Sequence, residues 1–594
     1  MSAVALASPS ADTLRAASVT ADRGVIVTRT DTASVRGALT VTDLMLSLPS
    51  VQIGDNGGFS GLKTISLRGM GSPHTAVYVD GVRVGNVQSG QSDLGLLPLD
   101  SFSSSVVDYA RGSISFVTAR PVFEDGKRAS GHVRLRGGSF GTVLPSGRLD
   151  FKLSERISLS ANASAVISEG NYPYGDGLKR GGNDMKQMHA GADVFGTVRG
   201  GEWHAKAGMS VSDRGTPGSI SWPSDDRQAD ENLYVQGLLA KSFNELYSLK
   251  ASARLSRDRI DYLSSWGNSS YLQDEWQLNS SHAFHVSDAL TLSLAADVQH
   301  DALESDAYDA VRTEGIAALA AALRLGRFSL DAAVEYSLAM DKGASVQGDG
   351  LFSSISPSVA LAWDLPRGWS VSAFSRRAYR APYFNELYYE GYGNPELVPE
   401  DAWLNDIGAD WRRTFGRWSF RAKADLFCNL LKDKITSAPS SYDSAIWLPY
   451  NIGKVLSVGA DVEAKAGWRS GDWAADGRLR YSWQSAEDRT EGSYSYGEQI
   501  PYVAAHSAGA ELRIGWKGWS LRPVWTLRAG RRDSYGPMPD WSTVDLSMSK
   551  DFKAGPADVS LSLDARNIMD VRYELSSGYP MPGRSVLGGI SISF

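Results

Sequence analysis

The chain has 594 residues, 42% hydrophobic and 10% aromatic, with 17 Trp, 24 Tyr and 60 Gly. A formal charge of −7 offers no basic footprint for nucleic acid, and no stretch approaches the roughly 18–20 apolar residues that a membrane-spanning helix needs. A single cysteine, Cys428, excludes an internal disulfide and a cysteine-based metal site.

Residues 1–21 form an N-terminal extension. Its opening lacks a basic region, but the small-residue step Ala5-Leu6-Ala7 is like the end of a secretory signal, so residues 1–7 are either a signal remnant or an ordinary tail. From 22 to 122 the pattern is that of a small α+β unit. VIVTR (Val25–Arg29) is a predicted strand, and in TVTDLMLSLPSV the residues Thr42 and Asp43 cap a short helix that stops before Pro49. In Leu62–Gly85 two short strands are predicted, Thr64–Arg68 and Ala76–Asp80, joined by the Gly/Pro/Ser run GMGSPH as a hairpin, with Asp80-Gly81 as the next tight turn. PLDSFSSSVVDYARGS ends in a further strand. Apolar residues are too few for this unit to stand alone, so a surrounding body has to complete its burial.

From 130 to 594 segments of about ten residues alternate apolar and polar, joined in turn by very short and rather long connections, which is the pattern of a transmembrane β-barrel. In WSFRAKADLFC, Trp418, Phe420, Ala422, Ala424, Leu426 and Cys428 share one face while Ser419, Arg421, Lys423 and Asp425 share the other. Val559, Leu561, Leu563 and Ala565 alternate with Ser560, Ser562, Asp564 and Arg566 in the same way. Several short turns carry Trp, as in RRTFGRWSF and GWKGWSL, which suits a membrane interface. Counting segments predicts an all-β barrel of about 22 antiparallel strands, wide enough to hold the N-terminal unit in its lumen. SVLGGISISF reads as the last strand, with Val586, Gly588, Ile590, Ile592 and Phe594 on one face.

Ordered along the chain, TADRGVIVTR, LPSVQIGDNGG, ISLRGMGSPHTAVYVDGVRV, VVDYARG, GGSFGT, YRAPYFNELYYEGYGNPELVPE, NIGKVLSVGADVE and ARNIMDVRYELSSGYPMPGRS carry a family likeness. Through them the chain resembles the TonB-dependent outer-membrane receptors over essentially its whole length, nearest the vitamin B12 receptor branch. The resemblance implies a plug domain inside an outer-membrane barrel and active import of a scarce ligand, a cobalamin-like compound or a metal chelate such as a siderophore. It implies a TonB-type inner-membrane energising complex as partner; with no HExxH or P-loop in the sequence, no enzymatic activity is expected. By motif position it implies a TonB box at Ala17, Ser18, Val19, Thr20 and Ala21, where strand addition would tolerate variable side chains; a plain linker is the alternative. It also implies a plug–barrel latch in which Arg68 and Arg111 face Glu400 and Glu463. An arginine fork on a carboxylate in a confined lumen is directional and breakable; separately solvated charges are the alternative. After Gly112 the family's run of small residues is replaced by ISFVTARP (Ile114–Pro121), so an altered or shortened last plug strand is expected.

Haem receptors of the family carry a histidine between segments like YRAP and NPEL, and this chain has none there. His74 is either a ligand contact or a plain loop histidine. Tyr172, Tyr174, Trp222, Tyr388, Tyr389 and Tyr392 fall in expected loops, where they stack on a planar ligand or pack the loops. Cobalamin receptors bind calcium through acidic early loops, and Asp176, Asp184, Asp225, Asp226 and Asp230 occupy that region; calcium needs six to eight converging oxygens. G-x-S-x-G at Gly137–Gly141 lacks the following helix of a nucleophile elbow. Outer-membrane lipids and a surface lipoprotein complete the expected partners. The competing reading is a plugged barrel that acts as a structural or partner-binding scaffold without transport.

Overall fold

The computed structural model describes residues 30–34, 38–46, 48, 50–175, 177–346, 350–439 and 447–594. Twenty-two antiparallel strands, from Ala129–Gly138 to Ser585–Ser593, close into a barrel. The seam is made by Leu587–Ser593 against His132–Gly138, and Gly131 and Phe594 exchange backbone bonds of 3.0 Å beyond it. Closure leaves no strand edge, as a sheet in lipid requires.

Burial in the barrel is inverted relative to a water-soluble protein. Leu255, Leu278, Leu319, Leu426 and Leu479 are exposed outside, while Arg254, Asp297, Asp425, Asp461 and Arg480 are buried inside. The period-two alternation delivers this directly, because each strand turns one parity toward lipid and the other toward the lumen. At the short-turn end tryptophans pair across strands, Trp369 with Trp411, Trp418 with Trp468 and Trp473 with Trp516. Amphipathic indoles suit a membrane–water boundary.

The lumen holds the plug. Its main sheet has the order β1 (Thr30–Ser34), β6 (Phe102–Asp108), β7 (Ser113–Thr118), β4 (Ala76–Val79), β5 (Val82–Val84), while β2 (Val51–Asp55) pairs with β3 (Lys63–Leu67). Four findings differ from the sequence reading. GMGSPH is not a hairpin turn: β3 pairs with β2, and β4 pairs with β5 and, in parallel, with β7, so the segment carries the chain from one sheet to the other. Helix α1 (Val41–Leu46) is capped by Thr40, not Thr42. Thr40 Oγ1 accepts from Asp43 N and Asp43 accepts from Thr40 N, both at 3.1 Å, a reciprocal capping box; Thr42 turns to Asp55 instead. The last plug strand is complete: β7 keeps six residues and sits between β6 and β4. Finally, the plug has an apolar core of its own, built from α1 and the strands around Met45, Val51, Ile65, Val107, Ile114 and Phe116. VIVTR, the segment 17–21 expected to be a TonB box, and residues 1–7 lie outside the described residues.

Candidate functional site

Three plug loops rise to the end of the barrel that carries the long connections. The first, 56–62, is drawn around Lys63, whose Nζ donates to the carbonyls of Gly58 and Gly61 at 2.8 and 2.9 Å and reaches Asp55 at 3.5 Å. Burial pushes the Asp55 carboxyl above its ordinary range despite that lysine. Tyr172 packs against this loop, its hydroxyl donating to the Pro580 carbonyl at 2.7 Å; it is 1% exposed and belongs to the packing rather than to a free ligand surface.

The second loop, 68–75, begins with Arg68. Its left-handed backbone (φ 51°) hands the chain on to Gly69, where a Cβ would lie 2.4 Å from Gln484 of the barrel. The guanidinium enters the wall between the rings of Tyr109 and Phe427, 4.7 and 4.3 Å from their centroids. There it meets Asp406 at 2.7 Å and Asp461 at 3.5 Å. Ser50 donates to Asp461, and Ser457 donates to the Arg68 carbonyl at 2.7 Å. The expected partners Glu400 and Glu463 are engaged elsewhere: Glu463 with Arg478 and Lys465, Glu400 with Arg380 and His74. Arg111 pairs within the plug, with Asp108 at 3.5 Å.

His74 thus ties the loop's far end to the wall. Glu400 also accepts from Arg380 Nε at 2.8 Å and from Ile435 N at 2.6 Å, and Arg380 continues to Glu386. Glu386 lies on the short helix α2 (Phe384–Tyr388) of the segment 381–399, which folds inward over the plug. Tyr383, just before α2, donates to the Pro73 carbonyl at 3.0 Å and presses on Gly90, where a Cβ would fall 1.7 Å from its ring. The third loop, 85–93, meets the same segment through Asn385 N and the Gln88 carbonyl at 2.9 Å. One barrel segment therefore touches two plug loops.

Among the remaining sequence candidates, Tyr388 is buried and donates to Asp341 at 2.7 Å, Tyr389 stands edge-on to Tyr308, and Tyr392 shares a hydrogen bond with Ser437. Tyr174 is half-buried in a short strand pair, and Trp222 is 73% exposed. Of the acidic loop residues, Asp176 lies outside the described residues. Asp184 is forked by Arg227 at 3.0 Å, which holds its carboxyl below the usual range; Tyr262 donates to Asp226 at 2.6 Å; Asp230 takes Ser212 and Arg214; Asp225 is exposed. Among the described residues no three His, Cys, Asp or Glu converge on one point, so these side chains as placed do not fit a calcium shell. Ser139 of the G-x-S-x-G match bonds the Val586 backbone in a barrel loop.

Sequence reasoning missed a second latch. Asp80, read only as a turn residue, accepts from Thr118 N at 2.7 Å, Thr118 Oγ1 at 2.5 Å and barrel Lys206 Nζ at 2.9 Å. Burial opposes its ionisation, but the Lys206 charge wins and the carboxyl is held below its ordinary range. Asp93–Arg214 and Asp100–Arg134 repeat the pattern around the plug. The plug is thus held in the lumen by directional polar contacts and by apolar packing of Met70 and Ala110 on the wall, around a core of its own.

The comparisons agree with this architecture. Residues 16–119 match the TonB-dependent Receptor Plug Domain and residues 146–568 match the TonB dependent receptor-like β-barrel. A vitamin B12 transporter, BtuB, of Vibrio vulnificus is 25% identical, covering 93% of this chain and 90% of its own length; one from Vibrio cholerae is 22% identical, covering 96% and 92%. In fold the chain is similar to the FrpB iron transporter of Neisseria meningitidis (TM-score 0.76, 15% identity, 96% and 100% of the chains) and to the copper transporter OprC (0.77, 15%, 96% and 99%). A plugged 22-strand barrel matched over both of its parts identifies this chain as a member of the TonB-dependent receptors, which import ligands across the bacterial outer membrane.

Proposed function

We propose that the imported ligand is a cobalamin-like compound or a metal chelate, bound where the segment 381–399 meets the plug loops 68–75 and 85–93. The observation that carries this reading is Tyr383, which touches Pro73 and Gly90 at once: a ligand that shifts this segment acts on both loops, and through them on the His74–Glu400 and Arg68–Asp406 contacts. Likeness to vitamin B12 transporters over most of the chain puts a corrinoid first. In this reading Ala17–Ala21 is the TonB box, and lipids surround the apolar belt. A surface lipoprotein docks on the long loops to deliver ligand.

Uptake of labelled cyanocobalamin and of a ferric siderophore, in cells lacking their own receptors, tests the reading. Import of one ligand that stops on deletion of residues 17–21 is the expected result. Import of neither, with the barrel inserted and folded, overturns it and favours the scaffold.

A further inference from the structure

A cavity of about 290 Å³ runs down one flank of the plug, between α1 and the barrel strands Trp473–Asp488, His506–Trp516, Trp519–Ala529 and Trp541–Ala554. Tyr172 and Met581, from the long loops, and Phe140, from the tight connection Ser139–Gly141 at the same end, line its outer end. Its inner wall carries Arg478, Arg480, Arg513 and Arg522, the last two each three residues from a short-turn tryptophan, Trp516 or Trp519. The cavity therefore lies alongside the plug, with lining that extends from the loop level to within three residues of the short-turn tryptophans.

Its charge is uneven. Six cationic side chains line it against four carboxylates. Most are paired: Arg478 with Glu463, Arg522 with Glu511 at 2.6 Å, Arg566 with Asp545 at 3.2 Å, Lys63 with Asp55. Arg480 is the exception. It is 6% exposed, and neither terminal nitrogen of its guanidinium has a hydrogen-bond partner among the described residues. It lies over Gly509 on the neighbouring strand, where a Cβ would come within 2.6 Å of it, so the glycine makes its berth. Nearby, Arg528 reaches, among the described residues, the carbonyls of Leu527 and Leu46, at 3.0 and 3.3 Å. A buried guanidinium without an acceptor is unfavourable; the Arg480 nitrogens are sealed in their berth, and a small turn of the side chain into the cavity that the residue lines would let an oxyanion complement them.

We infer that the flank cavity binds an oxyanionic group, phosphate or carboxylate, of the ligand in transit, with Arg480 as its principal contact and Arg528 supplying supporting charge. The inference rests on the import reading for the ligand's direction of travel, while anion binding itself needs no transport.

Calorimetric titration of the full chain in detergent micelles at low salt, with inorganic phosphate in one arm and citrate in the other, tests it. Saturable binding is expected, weakened at least about tenfold in Arg480→Gln, the loss of a charge-assisted hydrogen bond, and largely recovered in Arg480→Lys. The arm that binds more tightly identifies the group. Heat-modifiable gel migration checks that each variant remains a closed barrel. Wild-type protein that binds neither anion, or a folded Arg480→Gln that binds as wild type does, overturns the site. Anion binding without import counts against the import reading alone, and import without anion binding counts against this site alone.

Discussion

Arg68 of the plug and Asp406 of the barrel meet at 2.7 Å with side chains 2% and 1% exposed. Breaking a buried pair by removing one member leaves the other charge uncompensated, at about 3–5 kcal/mol. Arg68→Ala is therefore expected to loosen plug seating, seen as faster hydrogen exchange in residues 63–79. A double-mutant cycle should give Arg68 and Asp406 a coupling of about 0.5–3 kcal/mol, and Arg68 and Glu400 close to none. The reverse ranking would overturn the assignment.

Asp80 and Asp55 titrate in opposite senses. The carboxyl of Asp80 is depressed in the fold, so its stabilising contribution is present above the unfolded value and disappears only as pH falls through the still lower folded value. That of Asp55 is raised, so its protonation favours the fold as pH drops through the raised value and ceases to help above it. The Asp80–Lys206 contact should thus survive at pH 5. Plug protection from protease at pH 5 is expected to match that at pH 7 in wild type and to be weaker at both in Asp80→Asn; wild-type release at pH 5 would contradict the assignment.

Gly90 has φ 64° and no room for a methyl group beside Tyr383. Gly90→Ala should push the 85–93 loop off the 381–399 segment and weaken ligand binding by about tenfold or more, the equivalent of about 1.4 kcal/mol. Adding Tyr383→Ala relieves the collision but removes the Pro73 contact and leaves the backbone strain of about 1–2 kcal/mol, so the 85–93 loop is expected to regain protection from hydrogen exchange in part while ligand binding stays weak. Unchanged binding in Gly90→Ala would show that the contact is not part of the site.

Asp184, Asp226 and Asp230 are committed to protein partners. Chelation with EGTA should leave ligand affinity of the purified chain unchanged, and a calcium-dependent gain would show that the Asp184–Arg227 fork gives way to the ion.

Alternation along the strands made the barrel and its lumenal charges legible, but it reports a face and says nothing of depth. Glu400 and Asp406 share a parity, as do Asp461 and Glu463, so sequence reasoning chose the correct wall at the wrong level. Six residues along a strand amount to about 20 Å. Depth is set by where the plug loop meets the wall, which depends on β3 pairing back on β2 and β4 pairing with the distant β7, choices that GMGSPH does not disclose. The tyrosines fail for a related reason: Tyr172 and Tyr388 sit in loops by sequence, yet those loops fold inward and spend their hydroxyls on Pro580 and Asp341. Asp80 was hidden because a turn aspartate looks the same whether or not a lysine awaits it across the lumen.

The seam joins Leu587–Ser593 to His132–Gly138, two segments separated by nearly the whole barrel sequence. Until it zips, the interior is open to water, and Arg68, Asp80, Asp93 and Asp100 gain little from their barrel partners, since such pairs strengthen only when water is excluded. Loop-closure entropy weighs on that contact more than on any hairpin. Order of assembly follows: the apolar heart of the plug can condense early, whereas its docking is necessarily late, completed as the cylinder shuts around it.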